Sequence, residues 1–314
     1  MSAPRVLLLS GGPDAEHEVS LMGHRGVLEA LSALREVHAH VIPRDRPFGL
    51  ADLRALPGEV VFPLLHGPWG EGGPLQDLLE SDGRPYVGCG PRAARLAMDK
   101  AATKAAALEL GIPTAPMAIF SAVDAHASEP SLGLPVVVKP VHEGSSVGVH
   151  VCKTREDWQR ACQAVIADLR EHPHRVYMIE RAVLGAQELT CGWLDGAALP
   201  LIRIVPKEGL YDFQAKYYRD DTRYEVEPEL PPGVTRRVQE RAEEIARALG
   251  VRHLCRVDFL LDPEGEAWLL EVNTMPGFTS HSLLPMAAGR KGLSYADLAS
   301  ALVGFAWRDG GAKR

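Results

Sequence analysis

The first ninety residues alternate apolar strands, glycine turns and amphipathic helices, and this alternation restricts the fold more than any other feature. Residues 5–9 form an apolar run, 11–13 a Gly-Gly-Pro turn, and 16–34 carry apolar side chains at helical spacing. A second unit follows, with a strand at 60–65, a glycine-rich loop and a helix near 75–79. Strands that alternate with helices favour a parallel sheet covered by helices. The sequence therefore predicts an α/β domain at the start of the chain.

The rest of the chain alternates less regularly. An alanine-rich helix is predicted over residues 93–110, ended by Gly111 at the C′ position and followed by Pro113 and Pro116. Strands at 136–139 and 147–152 enclose a Glu-Gly-Ser-Ser loop, and a later segment, 206–233, is polar, aromatic and contains prolines. Long loops of that composition inside compact domains are usually functional lids or disordered segments.

Composition limits the class of protein and of ligand. The 314 residues are 46% hydrophobic and 24% charged, which is globular and excludes a disordered or collagen-like chain. The net charge of -7 and the absence of a long basic cluster argue against nucleic-acid or membrane partners, so we expect small ligands. The first residues contain no basic region or long apolar stretch, which predicts a cytoplasmic protein without a signal peptide. Five cysteines without a C-x-x-C pair predict reduced core thiols.

The segment from residue 256 to 273 is predicted to form strand, turn and strand. With residues 263–266 as the turn, Asp262 pairs with Ala267. The same register places polar groups on one face of the sheet, in two further pairs: Asp258 opposite Glu271, and Arg256 opposite Asn273.

Two carboxylates in one cross-strand pair would repel each other unless a cation lies between them. Mg²⁺ favours one or two carboxylates with waters and substrate phosphates, and the Asn273 oxygen can add a ligand. For an arbitrary hairpin, an ordinary solvated sheet face would be the simpler interpretation. Arg256 and the lid-like segment favour a functional site here.

The loop that begins at Lys139 lies between two strands, so it is not a Walker A loop, which opens a helix. Its Gly-Ser-Ser tip can still close over phosphates through backbone N–H groups, with Lys139 adding positive charge. An ordinary hairpin loop is the alternative interpretation of this segment.

Three other motifs carry weaker signals. The segment 11–16 is not G-x-G-x-x-G, and Glu16 near a helix start is favourable for local reasons alone. His66 ends a strand where α/β proteins bind ligands, a position where a histidine is as often structural. Ser10 and Ser20 lack the G-x-S-x-G context of a serine hydrolase.

Seven segments in order resemble the ATP-grasp enzymes and, within them, the D-alanine–D-alanine ligases. They cover nearly the whole chain and comprise Gly-Gly-x-x-Ala-Glu-His-Glu-Val-Ser (11–20), Leu-His-Gly (65–67) with Gly-Glu (70–71), Met-Asp-Lys (98–100), Val-Lys-Pro with Glu-Gly-Ser-Ser-Val-Gly (138–148), Tyr-Asp-Phe-x-Ala-Lys-Tyr (211–217), Arg-Val-Asp-Phe (256–259) and Glu-Val-Asn-Thr-x-Pro-Gly-Phe-Thr-x-x-Ser (271–282).

The resemblance implies an α/β ATP-grasp fold of three domains: an N-terminal parallel-sheet domain (1–97), and central (98–183) and C-terminal (184–314) α+β domains that hold ATP between them, with a lid at about 206–224. It implies that ATP is bound by Lys100 and Lys139 at the α- and β-phosphates, Lys216 at the γ-phosphate, Glu180 at the adenine amine and Glu188 at the ribose. Mg²⁺ or Mn²⁺, two ions per site, would be held by Asp258, Glu271 and Asn273.

The substrate residues follow from the same resemblance. Glu16 would pair with the ammonium of the first D-alanine and form a hydrogen-bonded triad with Ser145 and Tyr217. Arg256 and the Gly277 N–H would stabilise the acyl phosphate and the tetrahedral intermediate. The carboxylate of the second D-alanine would be held by Ser282 and the Leu283 amide, and His66 is a further substrate-site candidate.

The implied reaction joins two D-alanines through D-alanyl phosphate for peptidoglycan precursors, in a homodimer without nucleic-acid or membrane partners. The sequence departs from the family pattern at Gly72, where Asp is common, at Phe278, where Met is common, and in a Glu180-to-Glu188 interval one residue longer than expected. Tyr217 favours D-alanine as acceptor, with D-lactate or D-serine as alternatives. Another ATP-dependent carboxylate–amine or carboxylate–thiol ligase, a non-catalytic ATP-binding module and an NAD-dependent oxidoreductase are the rival functions.

Overall fold

The N-terminal region is a parallel sheet covered by helices. A computed structural model describes residues 3–144, 146–206, 222–279 and 281–311. The sheet has the order β2-β1-β3, and both neighbours run parallel to the central strand, as predicted. Its elements are β1 (Val6–Gly11), α1 (His17–Ser32), β2 (Val37–Ile42), α2 (Leu50–Ala55), β3 (Val60–Pro63), α3 (Gly67–Gly70) and α4 (Pro74–Asp82). The loops that follow β1 and β3 therefore lie at the carboxyl edge of this sheet, the edge at which open α/β sheets bind ligands.

The single helix predicted over residues 93–110 is wrong, because the segment forms two helices, α5 (Pro91–Met98) and α6 (Lys100–Glu109). Asp99 separates them with an extended backbone, and its side chain accepts a hydrogen bond from Ala102 N at 2.9 Å. This is an N-cap, which supplies an acceptor for one of the first amide groups of the helix. The break makes Lys100 the first residue of a new helix.

The central region contains an antiparallel sheet of order β4-β7-β5-β6. Residues 147–152 were predicted as strand, but only the last three form it, because Gly148 adopts a left-handed conformation. The predicted start of the long helix at Thr154 is confirmed, with a capping box to Asp157. The elements are β4 (Met117–Ile119), α7 (Ala122–His126), β5 (Val136–Pro140), β6 (His150–Cys152), α8 (Arg155–Glu171) and β7 (Tyr177–Arg181).

The last region is built on an antiparallel sheet of order β10-β9-β8-β11-β12. Its strands are β8 (Gln187–Leu194), β9 (Ala197–Val205), β10 (Arg223–Val226), β11 (Leu254–Leu261) and β12 (Ala267–Asn273); its helices are α9 (Val234–Leu249), α10 (Leu283–Arg290) and α11 (Tyr295–Gly311). Within the described ranges, no helix combines the length and apolar character needed to cross a membrane.

One apolar core joins the N-terminal and C-terminal regions of the chain. It contains Val6 and Phe62 from the parallel sheet together with Ile202, Leu284 and Leu302 from the C-terminal region. A second core lies between the C-terminal sheet and α9, and a third between the central sheet and α8. The three sheets fall within the three predicted domains, whose boundaries remain predictions.

Candidate active site

The predicted pairing of the polar hairpin is confirmed where the polar groups lie. In the antiparallel pair β11–β12, Arg256 is opposite Asn273 and Asp258 is opposite Glu271. Nearer the turn the prediction is wrong by one residue, because Ala267 pairs with Leu261 and not with Asp262.

A β-bulge in β12 causes this one-residue shift in the pairing. It lies between the Asp258–Glu271 and Phe259–Leu269 pairs, so Leu270 is the extra residue of β12. The extra residue allows Leu269 and Val272, three positions apart, both to reach the core, where they are 1% and 4% exposed. The bulge therefore reconciles an apolar core face with the polar face that carries Glu271 and Asn273.

Asp258 is held by two neighbours inside the protein. Arg256 donates to both carboxylate oxygens, with Nη2 to Oδ2 at 2.8 Å and Nε to Oδ1 at 2.9 Å. The Thr190 hydroxyl donates to Oδ1 at 2.6 Å. Both charged side chains are buried, so the bidentate pair fixes the orientation of the carboxylate and of the guanidinium.

The donor set on this face fits a hard divalent cation. It consists of the Asp258 and Glu271 carboxylates and the Asn273 amide oxygen, which accepts a hydrogen bond from Met275 N at 3.1 Å. Oxygen ligands of this kind suit Mg²⁺ or Mn²⁺. Among the described residues no cluster of three His, Cys, Asp or Glu side chains has metal-binding geometry.

Lys100 connects this face to the glycine loop of the central region. Its ammonium donates to the Glu143 carbonyl at 2.5 Å and lies 3.4 Å from a Glu271 carboxylate oxygen. Arg175 pairs with the Glu143 carboxylate at 2.8 Å and so holds the loop from its other side. The first lysine of the predicted phosphate site is thus next to the candidate metal ligands.

Lys139 and Glu180 form a buried ion pair, with Nζ 2.5 Å from Oε1. Lys104, which sequence reasoning did not single out, lies 3.0 Å from the other carboxylate oxygen, Oε2. Each oxygen of this buried carboxylate thus has a lysine ammonium beside it.

Glu188 lies apart from Glu180, on the neighbouring sheet. It is half-buried in β8, opposite Leu260, while Glu180 belongs to β7 of the central sheet. Residues 182–184 cross between the sheets and line a cavity of about 190 Å³ together with Pro116 and Trp268. The two predicted nucleotide carboxylates thus flank the junction of the central and C-terminal regions.

Glu16 meets the glycine loop. A Cβ placed on Gly144 would lie 3.6 Å from both Glu16 carboxylate oxygens, so the side chain points at the loop backbone. Ser145, Lys216 and Tyr217, and most of the predicted lid, lie outside the described residues. Their proposed roles remain predictions.

Asp14 is a site residue that sequence reasoning missed, although it lies within the Gly-Gly-x-x-Ala-Glu motif. It accepts hydrogen bonds from Trp69 N at 2.9 Å and Gly70 N at 3.0 Å. Burial raises the pKa of its carboxyl to about 6; those hydrogen bonds oppose the rise, and Glu16 and Glu143 add to it. Asp14 thus joins the loop after β1 to the loop after β3.

The loop after β3 is joined in turn to the loop after β12. His66 Nδ1 lies 2.9 Å from the Met275 carbonyl, and the Glu71 carboxylate accepts from Met275 N at 3.1 Å. His66 is buried and lies beside the segment that contains Gly277. The structure therefore places His66 at the wall of the site, in contact with protein groups.

Gly277, Ser282 and Leu283 lie together at the start of α10. A Cβ on Gly277 would be 3.3 Å from Ser282 Oγ, which also accepts a hydrogen bond from Thr279 N at 2.9 Å. Leu283 is the first residue of the helix, where amide groups lack intrahelical acceptors. This arrangement can bind a carboxylate.

Phe278, where the family commonly has Met, does not line the site. Its side chain is 1% exposed and packs against Phe62 and Tyr295, with ring centroids 5.8 and 5.4 Å away. The departure from the family pattern at this position therefore lies in the apolar core.

Known proteins share this sequence and fold. The profile of a family described as "D-ala D-ala ligase C-terminus" matches residues 107–304. A D-alanine–D-alanine ligase B from Chromobacterium violaceum is 43% identical over 296 residues, which cover 94% of this chain and 95% of that protein. A D-alanine–D-alanine ligase from Cupriavidus necator is 42% identical over 98% of this chain and 93% of its own length.

Solved structures agree with these sequence relatives. The crystal structure of a D-alanine–D-alanine ligase from Bacillus anthracis superposes with a TM-score of 0.80 at 28% identity, covering 99% of this chain and all of that one. The same ligase complexed with ATP gives a TM-score of 0.80 and covers both chains completely. The ATP-grasp fold predicted from the motifs is confirmed, and the chain belongs to the D-alanine–D-alanine ligase family.

Proposed function

We propose that this chain is an ATP-dependent ligase that joins two D-alanines and releases ADP and phosphate. The observation that carries the proposal is the face shared by Arg256, Asp258, Glu271 and Asn273, with Lys100 bridging from it to the glycine loop beside Glu16. A phosphoryl-transfer site and a site for an ammonium group thereby lie against each other. The product supplies peptidoglycan precursors.

The nucleotide occupies the junction of the central and C-terminal sheets in this proposal. Lys100, Lys139 and, from the lid, Lys216 bind the phosphates, Glu180 accepts from the adenine amine, and Glu188 binds the ribose. The contact of Glu180 with Lys139 on the central sheet, and the position of Glu188 on the C-terminal sheet, support these roles. Asp258, Glu271 and Asn273 would hold one or two Mg²⁺ or Mn²⁺ ions, whose charge offsets that of the transferring phosphoryl group.

The first chemical step transfers the γ-phosphoryl group to a carboxylate. Glu16 holds the ammonium of the first D-alanine, in a triad with Ser145 and Tyr217, so that one carboxylate oxygen faces the γ-phosphorus. A new O–P bond forms as the bond to the β,γ-bridging oxygen breaks, and ADP leaves. Arg256, fixed by Asp258, stabilises the resulting acyl phosphate.

The second step forms the peptide bond. Ser282 and the Leu283 amide hold the carboxylate of the second D-alanine, whose amine, having lost a proton, attacks the acyl carbon. The tetrahedral oxyanion lies against Arg256 and the Gly277 N–H, and phosphate leaves as the carbonyl reforms. Water would hydrolyse the acyl phosphate, so a closing lid at about 206–224 serves to exclude it.

Product analysis tests this function. ADP and D-alanyl-D-alanine should form in equal amounts from Mg²⁺, ATP and D-alanine alone. If product forms only when D-lactate or D-serine is also present, the ligase reaction stands, but D-alanine is not the acceptor. ADP formation that does not need any D-amino acid, or that needs a different carboxylate, would favour another ATP-dependent ligase.

We also propose that the enzyme works as a cytoplasmic homodimer, as the family resemblance implies. Light scattering after gel filtration measures the mass directly. A single species at the mass of one chain would contradict the dimer.

A further inference from the structure

Three charged side chains are buried together between α6 and the central sheet. Lys104 is 2% exposed, Glu180 4% and Lys139 6%. The two ammonium groups contact different oxygens of the one carboxylate, at 3.0 Å and 2.5 Å. The triad therefore carries one surplus positive charge, which is costly to bury unless an anion compensates it.

The two lysines are held differently. Lys104 donates to Thr114 Oγ1 at 2.8 Å and to the Ala115 carbonyl at 3.0 Å, and Thr114 donates in turn to the Leu269 carbonyl at 2.9 Å. In the described ranges the Lys139 ammonium contacts Glu180 and no second acceptor. Lys104 is thus fixed within the protein, whereas Lys139 has donors left for a ligand.

The pKa shifts of Lys104 and Glu180 agree with these different roles of the two lysines. Burial lowers the pKa of Lys104, and Glu180 opposes that shift. Burial alone would raise the pKa of Glu180, but Lys139 and Lys104 together hold it below its ordinary value. The carboxylate is therefore ionised at neutral pH.

We propose that Lys104 is a positioning residue that neutralises Glu180 and so leaves the charge of Lys139 available to the phosphates of ATP. This inference rests on the proposed function, in which Lys139 binds those phosphates. Without Lys104, Glu180 would neutralise Lys139, and the pair would present no net charge to the nucleotide.

A charge-balanced double variant separates this role from a packing role. Lys104→Met removes the surplus charge, and Lys104→Met with Glu180→Gln restores it while keeping an acceptor oxygen for adenine. Lys153→Met, at an exposed lysine, is the matched control. The measurements are the Kd of AMP-PNP with Mg²⁺ by calorimetry, and the KM values for ATP and D-alanine.

We expect Lys104→Met to weaken AMP-PNP binding about tenfold, and the double variant to return to within about threefold of the unmodified chain. The KM for D-alanine should stay within about twofold in both, and Lys153→Met should match the unmodified chain. The proposal would be overturned if Lys104→Met left the Kd of AMP-PNP unchanged or raised the KM values for ATP and D-alanine equally. It would also be overturned if the double variant bound AMP-PNP more weakly than Lys104→Met.

The binding measurement needs no D-alanine, so it is independent of peptide-bond formation. Tight AMP-PNP binding without dipeptide product would refute the proposed function and leave the role of Lys104 testable. An unmodified chain that does not bind AMP-PNP would refute both.

Discussion

Glu71 and Met275, 204 positions apart, hold two loops of the site together through one buried carboxylate. Oε2 accepts from Met275 N at 3.1 Å, and Oε1 accepts from Gly67 N at 3.2 Å. The segment that follows Met275 contains Gly277, which is proposed to bind the oxyanion. The position of that amide therefore depends on a residue of the N-terminal region.

Replacing Glu71 tests this dependence. Glu71→Ala removes the acceptor of two amide groups, and we expect it to lower the free energy of unfolding by about 1–3 kcal/mol. It should also lower kcat/KM for D-alanine more than it raises the KM for ATP, because the residues proposed to bind the nucleotide belong to other elements. Glu71→Gln keeps one acceptor and should give an intermediate loss. Unchanged kinetics in Glu71→Ala would show that the loop holds its position without this link.

The candidate metal ligands make a second prediction. Glu271→Gln keeps the shape of the side chain but removes its charge, so turnover should fall by about a hundredfold or more while the melting temperature changes little. Asp258→Asn should also lose turnover, but it should lower the melting temperature as well, because it removes the charge that pairs with the buried Arg256. Glu264→Gln, in the exposed turn of the same hairpin, is the control and should keep full activity. Full activity of both site variants at saturating Mg²⁺ would remove the metal assignment.

The sequence predicted the polar pairs of this hairpin because alternating side chains on two strands determine which residues share a face. It could not predict the bulge at Leu270, because an extra residue changes the register without altering composition. The break at Asp99 was missed for a related reason, since alanine-rich flanks predict one continuous helix. Strand β2 was missed because its half-buried, histidine-containing sequence lacks a clear apolar alternation.

The contacts between distant loops were least accessible from the sequence. Glu16 and Lys100 were found because each lies in a motif that resembles the family, whereas Asp258 and Glu271 were found from the register of the hairpin. Asp14 and Lys104 act through partners 55 and 76 positions away, and only the folded chain brings those partners to them. Burial, not residue type, gives both side chains their unusual environment.

Asp14 gives a pH-dependent prediction. Its pKa of about 6 in the folded protein exceeds the ordinary value of 3.8, so the folded chain holds the proton more tightly than the unfolded one. The contribution of Asp14 to stability is therefore largest at low pH and is lost progressively as the pH rises from about 4 to about 6. Asp14→Asn cannot ionise and should lack this loss.

Thermal unfolding of the two proteins across that range measures the effect. The melting temperature of Asp14→Asn relative to the unmodified chain should rise between about pH 4 and pH 7. Asp45→Asn, at an exposed carboxylate, should show no such trend. A constant difference for Asp14→Asn would mean that the carboxyl titrates in its ordinary range.

A last prediction concerns Gly23, in the middle of α1, where the helix passes the loop that carries Phe278. A Cβ at this position would lie 2.8 Å from the Phe278 carbonyl oxygen, which also accepts a hydrogen bond from the Tyr295 hydroxyl at 2.9 Å. Gly23→Ala must therefore move the loop or the helix, and we expect a loss of about 1–3 kcal/mol in the free energy of unfolding. Because Gly277 precedes Phe278, the KM for D-alanine should rise as well.

Gly304, in the middle of α11, is the matched control. A Cβ there meets open space, so Gly304→Ala should stabilise the helix by about 0.5–1 kcal/mol and leave the kinetics unchanged. Urea unfolding and steady-state kinetics on both variants measure the two effects. If Gly23→Ala is destabilised but its KM for D-alanine is unaltered, the helix and not the loop moves to accommodate the added methyl group. Ser282 and the start of α10 would then stay in place, and the proposed acceptor site would be unchanged.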